Sequence, residues 1–357
     1  MTVAVCYRFL LDKKLLVSYN DYKNKGVSKL AQVDEMIEKM LSGDEQSLAR
    51  LITMVERNAP EVPQIMGKIN FNLGNSHIVG ITGPPGGGKS SIVDRLAALL
   101  RADGHSVGII ACDPSSPFSG GAVLGDRIRM QQHYLDKEVF IRSMATREGR
   151  GGLSPTTKEV LKLMDAFGKD FVLVETVGVG QTELDIMDAA DTVIVVLVPE
   201  AGDAIQAMKA GILEIADIFV VNKADRQGAD AVADDLRQML RLNPKHEWWE
   251  VPVLTTEAIN NVGIDEMYQG IKNHRKALEE AGQIDIRRKA QRRAEFLEVV
   301  ERSVRDRILA LIRQNERLAD SLERVEKGEI DPYSATDELL ASQALLQTWR
   351  TSLEREG

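Results

Sequence analysis

The residues best suited to chemistry in this sequence lie in one eight-residue run, Gly83-Pro84-Pro85-Gly86-Gly87-Gly88-Lys89-Ser90. An apolar stretch, His77 to Thr82, precedes it, and Ile92, Val93, Leu96 and Leu99 recur behind it at helical spacing. A chain of phosphates carries closely spaced negative charge, and backbone N–H groups can surround it only where no Cβ obstructs the approach. The glycines at 83, 86, 87 and 88 answer that need, and the N-terminus of the following helix adds partial positive charge. Lys89 is expected to reach the β- and γ-phosphates and the Ser90 hydroxyl to ligate Mg²⁺, with Ser91 joining the phosphate-binding set. Strand, P-loop and helix in this order call for a nucleoside triphosphate.

The base is read elsewhere, in Asn222-Lys223-Ala224-Asp225 at the end of the apolar run Ile218 to Val221. An aspartate carboxylate can accept two parallel hydrogen bonds, from N1–H and the N2 amino group of guanine, and adenine lacks that donor pair. Asp225 takes this role, Asn222 bonds N7 and holds the loop, and the Lys223 stem packs over the base. Ala258, in Thr256-Glu257-Ala258, is placed to offer its N–H to the guanine O6. The nucleotide expected is GTP, with GDP as product.

Glu175 ends another apolar strand and is followed by Thr176-Val177-Gly178, where P-loop enzymes carry an acid for the Mg²⁺ shell. Gly178 would present its N–H to the γ-phosphate. Asp113, in Cys-Asp-Pro-Ser-Ser-Pro, and Asp126, in Gly-Asp-Arg, are further candidates for the metal's shell through water. Gln181 lies three residues past Gly178 and is a candidate for orienting the attacking water, and Arg127 and Arg147 for stabilising charge.

These residues need a scaffold, and the sequence supplies one between 77 and 256. Seven short β-branched runs, His77–Thr82, Ser106–Cys112, Val139–Met144, Phe171–Glu175, Thr192–Val198, Ile218–Val221 and Val251–Thr255, alternate with helical stretches. Near-continuous Val and Ile content means burial on both faces, so the expected fold is α/β, a doubly wound, mostly parallel sheet. A helical segment over 30–70 leads in, broken at Gly43-Asp44, and the P-loop domain is assigned 71–282. From 283 to 357 the chain reads as charged helix, with Leu297, Val304, Leu311, Leu318 and Val325 seven apart. That stripe either docks on the chain's own sheet domain or forms a dimer interface. Arg307, Gln314 and Ser321 in the alternate seam argue against a regular two-stranded coiled coil. The long helix is expected to end between Gly328 and Pro332, with one more short helix over Ala335 to Trp349. Residues 1–29 show no clear period and read either as a loosely ordered, disordered leader or as an overlong start assignment.

Composition bounds the rest. The 357 residues are 43% hydrophobic and 28% charged, as in ordinary globular proteins. A net charge of −9 argues against a protein living mainly on nucleic acid or anionic lipid. Only Cys6 and Cys112 are present, a pattern of a reducing compartment without structural zinc. With no apolar run of spanning length, the expectation is a cytoplasmic protein that engages neither membrane nor nucleic acid.

The motifs Gly83 to Ser90, Cys112-Asp113-Pro114-Ser115-Ser116-Pro117, Glu175-Thr-Val-Gly-Val-Gly-Gln181 and Asn222-Lys-Ala-Asp225 together resemble the methylmalonyl-CoA mutase-associated GTPases, the MeaB/ArgK family. The resemblance covers about residues 30 to 345. It implies a homodimeric, Mg²⁺-dependent GTPase that serves an adenosylcobalamin-dependent acyl-CoA mutase, gating cofactor delivery and protecting or reactivating the mutase. It also implies that the charged helices dimerise, that Asp113, Asp126 and Glu175 belong to the metal and switch machinery, and that Gly202 to Lys209 form a switch facing the partner. In that switch Lys209 reaches toward the nucleotide, and Ala204 and Ala207 depart from the family pattern. Two alternatives stand beside this reading. A nickel-enzyme maturation GTPase shares the architecture but needs a Cys or His cluster, which two cysteines and five scattered histidines do not offer. An ATP-dependent kinase or transport ATPase is disfavoured by Asn222 to Asp225.

Overall fold

Apolar strands with no polar side must be covered twice, and the computed structural model covers them twice. It describes residues 31–114, 130–146, 155–176, 186–199, 212–242, 246–314 and 316–356. Seven strands, β1 (His77–Thr82), β2 (Val107–Pro114), β3 (Val139–Thr146), β4 (Phe171–Glu175), β5 (Thr192–Leu197), β6 (Ile218–Asn222) and β7 (Val253–Thr256), form one sheet in the order β3-β2-β4-β1-β5-β6-β7. Every pairing is parallel. The expected runs all appear, with ends moved by one or two residues. β2 and β3 run on together to Pro114 and Thr146, because their ladder stays in register beyond the apolar residues that marked them.

The chain divides after Arg287 into two compact units. In the first, α4 (Lys89–Ala102) and α7 (Ile264–Glu280) cover one sheet face, where Ile92, Val93, Leu96, Ile264, Met267 and Ile271 meet Val79, Ile81 and Leu173. On the other face α5 (Pro155–Ala166) and α6 (Ala229–Leu242) meet Val172, Val174 and Val195. The lead-in forms three helices, α1 (31–41), α2 (Glu45–Glu56) and α3 (Val62–Ile69). Gly43 at φ +97 turns the chain between the first two, and the Asp44 carboxylate caps the second by accepting from the Ser47 N–H at 2.8 Å. Val33, Ile37, Leu48, Leu51, Ile65 and Ile69 are fully buried in the same cluster as the sheet, so lead-in and sheet share one core. The entry into β1 is fixed by Asp165, whose carboxylate accepts from the N–H groups of Gly74, Asn75 and Ser76 at 2.5, 3.0 and 2.8 Å.

The second unit carries most of α8 (Gln283–Gln314), then α9 (Glu316–Glu326), α10 (Pro332–Ala341) and α11 (Gln343–Glu356). The last two stand where one short helix was expected. Ser342, at φ −68 and ψ 124, adopts extended backbone and breaks the run. Leu311 and Leu345 are buried together with Ile312, Leu339 and Trp349 around them, while Leu297 and Val304 of the apolar stripe, and Val300 and Leu322 at other positions of these helices, are exposed.

The end of the sheet where the strands begin holds buried charge. Asp217, fully buried just before β6, accepts from the Val193 N–H at 2.9 Å and from both terminal nitrogens of Arg287 at 2.9 and 3.0 Å. His274 Nε2 lies 3.6 Å from the same carboxylate, and the Thr192 hydroxyl sits 2.8 Å from both His274 Nδ1 and His77 Nε2. Removing the guanidinium leaves a desolvated carboxylate without its strongest counter-charge, which costs about 3–5 kcal/mol. The Arg287→Met variant should therefore lower the urea midpoint strongly, and Asp217→Asn added to it should recover part of the loss.

Candidate active site

Strand β1 runs between β4 and β5, and the chain leaves it for β2 on one side while β5 adds on the other. Such a switch point opens a crevice beyond the carboxyl ends of the strands, and the eight-residue loop emerges into it. Two of its glycines are required by the protein's own packing. A Cβ on Gly83, at φ +138, would lie 2.0 Å from the Val196 carbonyl oxygen, and one on Gly88, at φ +88, would lie 2.2 Å from Asn222 Nδ2. At these two positions the fold adds its own demand for glycine to the one expected from a phosphate. Gly86 turns at φ +72 with open space where its Cβ would be, and Gly87 N–H bonds the Pro84 carbonyl.

Lys89 begins α4 and is buried, its ammonium donating to the carbonyls of Gly83 at 2.8 Å and Pro84 at 3.0 Å. The lysine thus lies along the loop it serves. Ser90 donates its hydroxyl to Glu175 Oε1 at 2.8 Å, with both residues buried. Glu175 is the register partner of Ile81 on β1, so the ladder sets the carboxylate one strand from the loop. One residue on, the Thr176 hydroxyl donates to the Thr82 hydroxyl at 2.8 Å.

Asn222 joins this loop to the segment expected to read the base. Its Nδ2 donates to the Gly87 carbonyl at 2.8 Å, and its Oδ1 accepts from the Thr256 hydroxyl at 3.0 Å and the Ala258 N–H at 3.1 Å. The amide expected for guanine O6 is therefore held on Asn222, and O6 would have to share or replace that acceptor. Lys223 takes the left-handed conformation at φ +60, the Ala224 N–H bonds the Thr256 carbonyl, and Asp225 is exposed at the rim.

Thus Lys89, Ser90, Glu175, Asn222 and Ala258 are brought together around one loop. Ser91 follows on α4, half-buried. The backbone of Asp113 lies near the end of β2, paired with Ala145, and its side chain is outside the description. Asp126, Arg127, Arg147, Gly178, Gln181 and the segment from Gly202 to Lys209 lie outside the described residues. Sequence reasoning missed the Thr82–Thr176 pair and the Thr256 hydroxyl. A buried hydroxyl at the last position of a strand is the signal that marks both Thr82 and Thr256.

The chain returning toward β3 is fastened to the P-loop helix. Met130 is fully buried, and His133 Nε2 lies 3.1 Å from the Asp94 carbonyl and 3.3 Å from its carboxylate, which also accepts from Gln132 at 2.7 Å. The hydrogen bond to Asp94 raises the His133 pKa above its ordinary 6.5. Burial pushes the Asp94 carboxyl up, and the bonds from His133 and Gln132 outweigh it and hold the group below its ordinary 3.8.

A parallel sheet with a phosphate loop at its switch point, bonded through Asn222 to an Asn-Lys-x-Asp segment, defines a P-loop GTPase. Residues 48–313 match the family model described as methylmalonyl Co-A mutase-associated GTPase MeaB, and the chain belongs to that family. It is 48% identical to a Pyrococcus abyssi chain named as a GTPase, over 86% of this chain and 96% of that one. It is 36% identical to GTPase ArgK of Escherichia coli, over 73% of this chain and 81% of that one. Its fold is similar to the crystal structure of LAO/AO transport system kinase, with a TM-score of 0.65 and 27% identity over 87% of this chain and 96% of the other. The protein is accordingly a GTP-hydrolysing enzyme that binds guanine nucleotide.

Two outcomes are expected. Gly88→Ala adds left-handed strain of about 1–2 kcal/mol and displaces a buried, thrice-bonded amide, whose bond to Gly87 is worth about another 1 kcal/mol. Equilibrium unfolding should show a loss of about 2 kcal/mol or more. For the His133–Asp94 contact, the raised imidazole contributes fully below 6.5 and loses its share as pH climbs through its raised value. The lowered carboxylate contributes above 3.8 and loses its share as pH falls through its lowered value. The stability difference between wild type and His133→Gln should therefore be larger at pH 6 than at pH 9.

Proposed function

We propose that this protein hydrolyses GTP with Mg²⁺ as part of a homodimer that serves an adenosylcobalamin-dependent acyl-CoA mutase, most simply methylmalonyl-CoA mutase. In this reading it works in the cytoplasm, gating delivery of the cofactor and protecting or reactivating the mutase. The observation that carries the catalytic part is the buried bond between Ser90 and Glu175 Oε1 at 2.8 Å. A hydroxyl and a carboxylate held together beside a phosphate loop are hard oxygen donors, the set that fits Mg²⁺. Ser90 would ligate the ion and Glu175 would hold its shell, joined by Asp113 and Asp126. When bound, Mg²⁺ neutralises charge on the β- and γ-oxygens.

The chain's own residues supply the rest. The P-loop amides and Lys89 hold the triphosphate and stabilise charge on the transferring group while water attacks in line, with no covalent intermediate. Gly178 offers its N–H to the γ-phosphate, Gln181 orients the water, and Lys209 approaches from the 202–209 switch. Asp225 accepts from guanine N1–H and N2, Asn222 donates to N7, and Ala258 donates to O6. Membership of a mutase-associated family supports the partner, and the exposed Leu297, Val300, Val304 and Leu322 support dimerisation through the C-terminal helices.

Steady-state hydrolysis of GTP and of ATP, each with and without the mutase, tests base and partner together. Turnover alone should be slow, on the order of 10⁻⁴ to 10⁻² per second, GTP-selective, and faster with the mutase. Preference for ATP would overturn the base assignment, and indifference to every cobalamin-dependent acyl-CoA mutase would remove the partner. Lys89→Ala should cost about 100-fold or more in kcat.

A further inference from the structure

Consecutive residues at the end of β4 are fastened on opposite sheet faces. Leu173 lies in the cluster with α4, and Glu175, two residues on, turns to that face and meets Ser90. Val172 and Val174 lie in the other cluster, and Thr176 continues that side and meets Thr82. Thr82 is fully buried, Thr176 nearly so. Thr82 is the last residue of β1 and immediately precedes Gly83, whose carbonyl holds the Lys89 ammonium.

The backbone ladder stops short of this point. Ile81 is the last β1 residue in register with β4, opposite Glu175, and the Thr176 N–H closes the ladder on the Ile81 carbonyl at 3.1 Å. Thr82 pairs instead with Val195 on β5. Beyond the ladder the two strand ends would be free to diverge, and the hydroxyl pair extends their connection by one residue. A carboxylate that must hold a metal's shell needs placement within about 0.5 Å, and a rotamer set on one side only does not supply it.

We propose that Thr82 and Thr176 are positioning residues: their hydroxyl bond locks the end of β4 to the start of the P-loop and so sets the reach of Glu175 toward a divalent cation on Ser90. This rests on the Mg²⁺ reading above. Each threonine spends its hydroxyl on the other, so both act through Glu175.

The test measures affinity for a fluorescent GDP analogue as Mg²⁺ is titrated, alongside kcat and KM for GTP, in the full chain. Thr176→Val and Thr82→Val keep the shape and remove a hydroxyl. Each should bind the analogue without Mg²⁺ within about twofold of wild type, need about tenfold more Mg²⁺ for half-maximal tightening, and lose kcat about tenfold with KM little changed. Thr176→Ser restores the hydroxyl and should behave as wild type. The double valine variant should be no worse than either single, because both remove the same bond. Valine variants with wild-type Mg²⁺ dependence, or a serine variant as impaired as valine, overturn the proposal while leaving the Mg²⁺ reading intact. A wild type whose nucleotide affinity ignores Mg²⁺ overturns both. Thermal unfolding confirms that each variant is folded, and a variant that binds the analogue normally without Mg²⁺ has kept its P-loop.

Discussion

One side-chain amide decides whether this protein has a single nucleotide site or two unrelated loops. Asn222 is 3% exposed and makes three hydrogen bonds, to the P-loop carbonyl of Gly87 and from Thr256 and Ala258. A buried amide left without partners costs about 1–3 kcal/mol, so the three segments are held together by the same term that keeps the amide inside. The glycine at 88 follows from it, since a Cβ there would occupy the amide's position. So does the left-handed turn at Lys223, which swings the chain away once Asn222 has turned inward.

The sheet makes that contact possible by its order. β6 and β1 are separated by β5 alone, which carries the Val196 carbonyl against which Gly83 is packed. Parallel strands all end on the same side, so loops far apart in sequence converge there without any helix crossing the site. The opposite end is spent on anchoring: Asp217, His274, Thr192, His77 and Arg287 form a polar cluster beneath the apolar layers. Chemistry and fastening thus occupy opposite edges of one sheet, and the apolar interior separates them.

The phosphate loop, the seven strands and the Asn-Lys-x-Asp segment were legible because each is a local pattern. Binding phosphate requires particular residue types in consecutive positions, and burial on both faces requires continuous apolar runs. What was not legible is pairing across distance. Thr82 with Thr176, Asn222 with Gly87 and Asp217 with Arg287 are separated by 94, 135 and 70 residues, and no spacing rule connects them. The packing demand on Gly88 went unseen for the same reason, since its neighbour comes from another strand. The break at Ser342 escaped because serine is tolerated in helices and only its observed extended backbone marks the end. The lead-in was recognised as helical, but its sharing of a core with the sheet depends on contacts with α5 that its own periodicity does not encode.

The order in which Asn222 meets its partners also matters during synthesis. Gly87 leaves the ribosome 135 residues before Asn222, and Thr256 and Ala258 follow later still. At typical elongation rates the phosphate loop therefore waits roughly 7 to 27 seconds before the amide that braces it exists. For that interval the nascent chain carries a glycine-rich turn shaped for a side chain not yet made. The bracing of the phosphate loop is complete only once the chain has been made past Ala258.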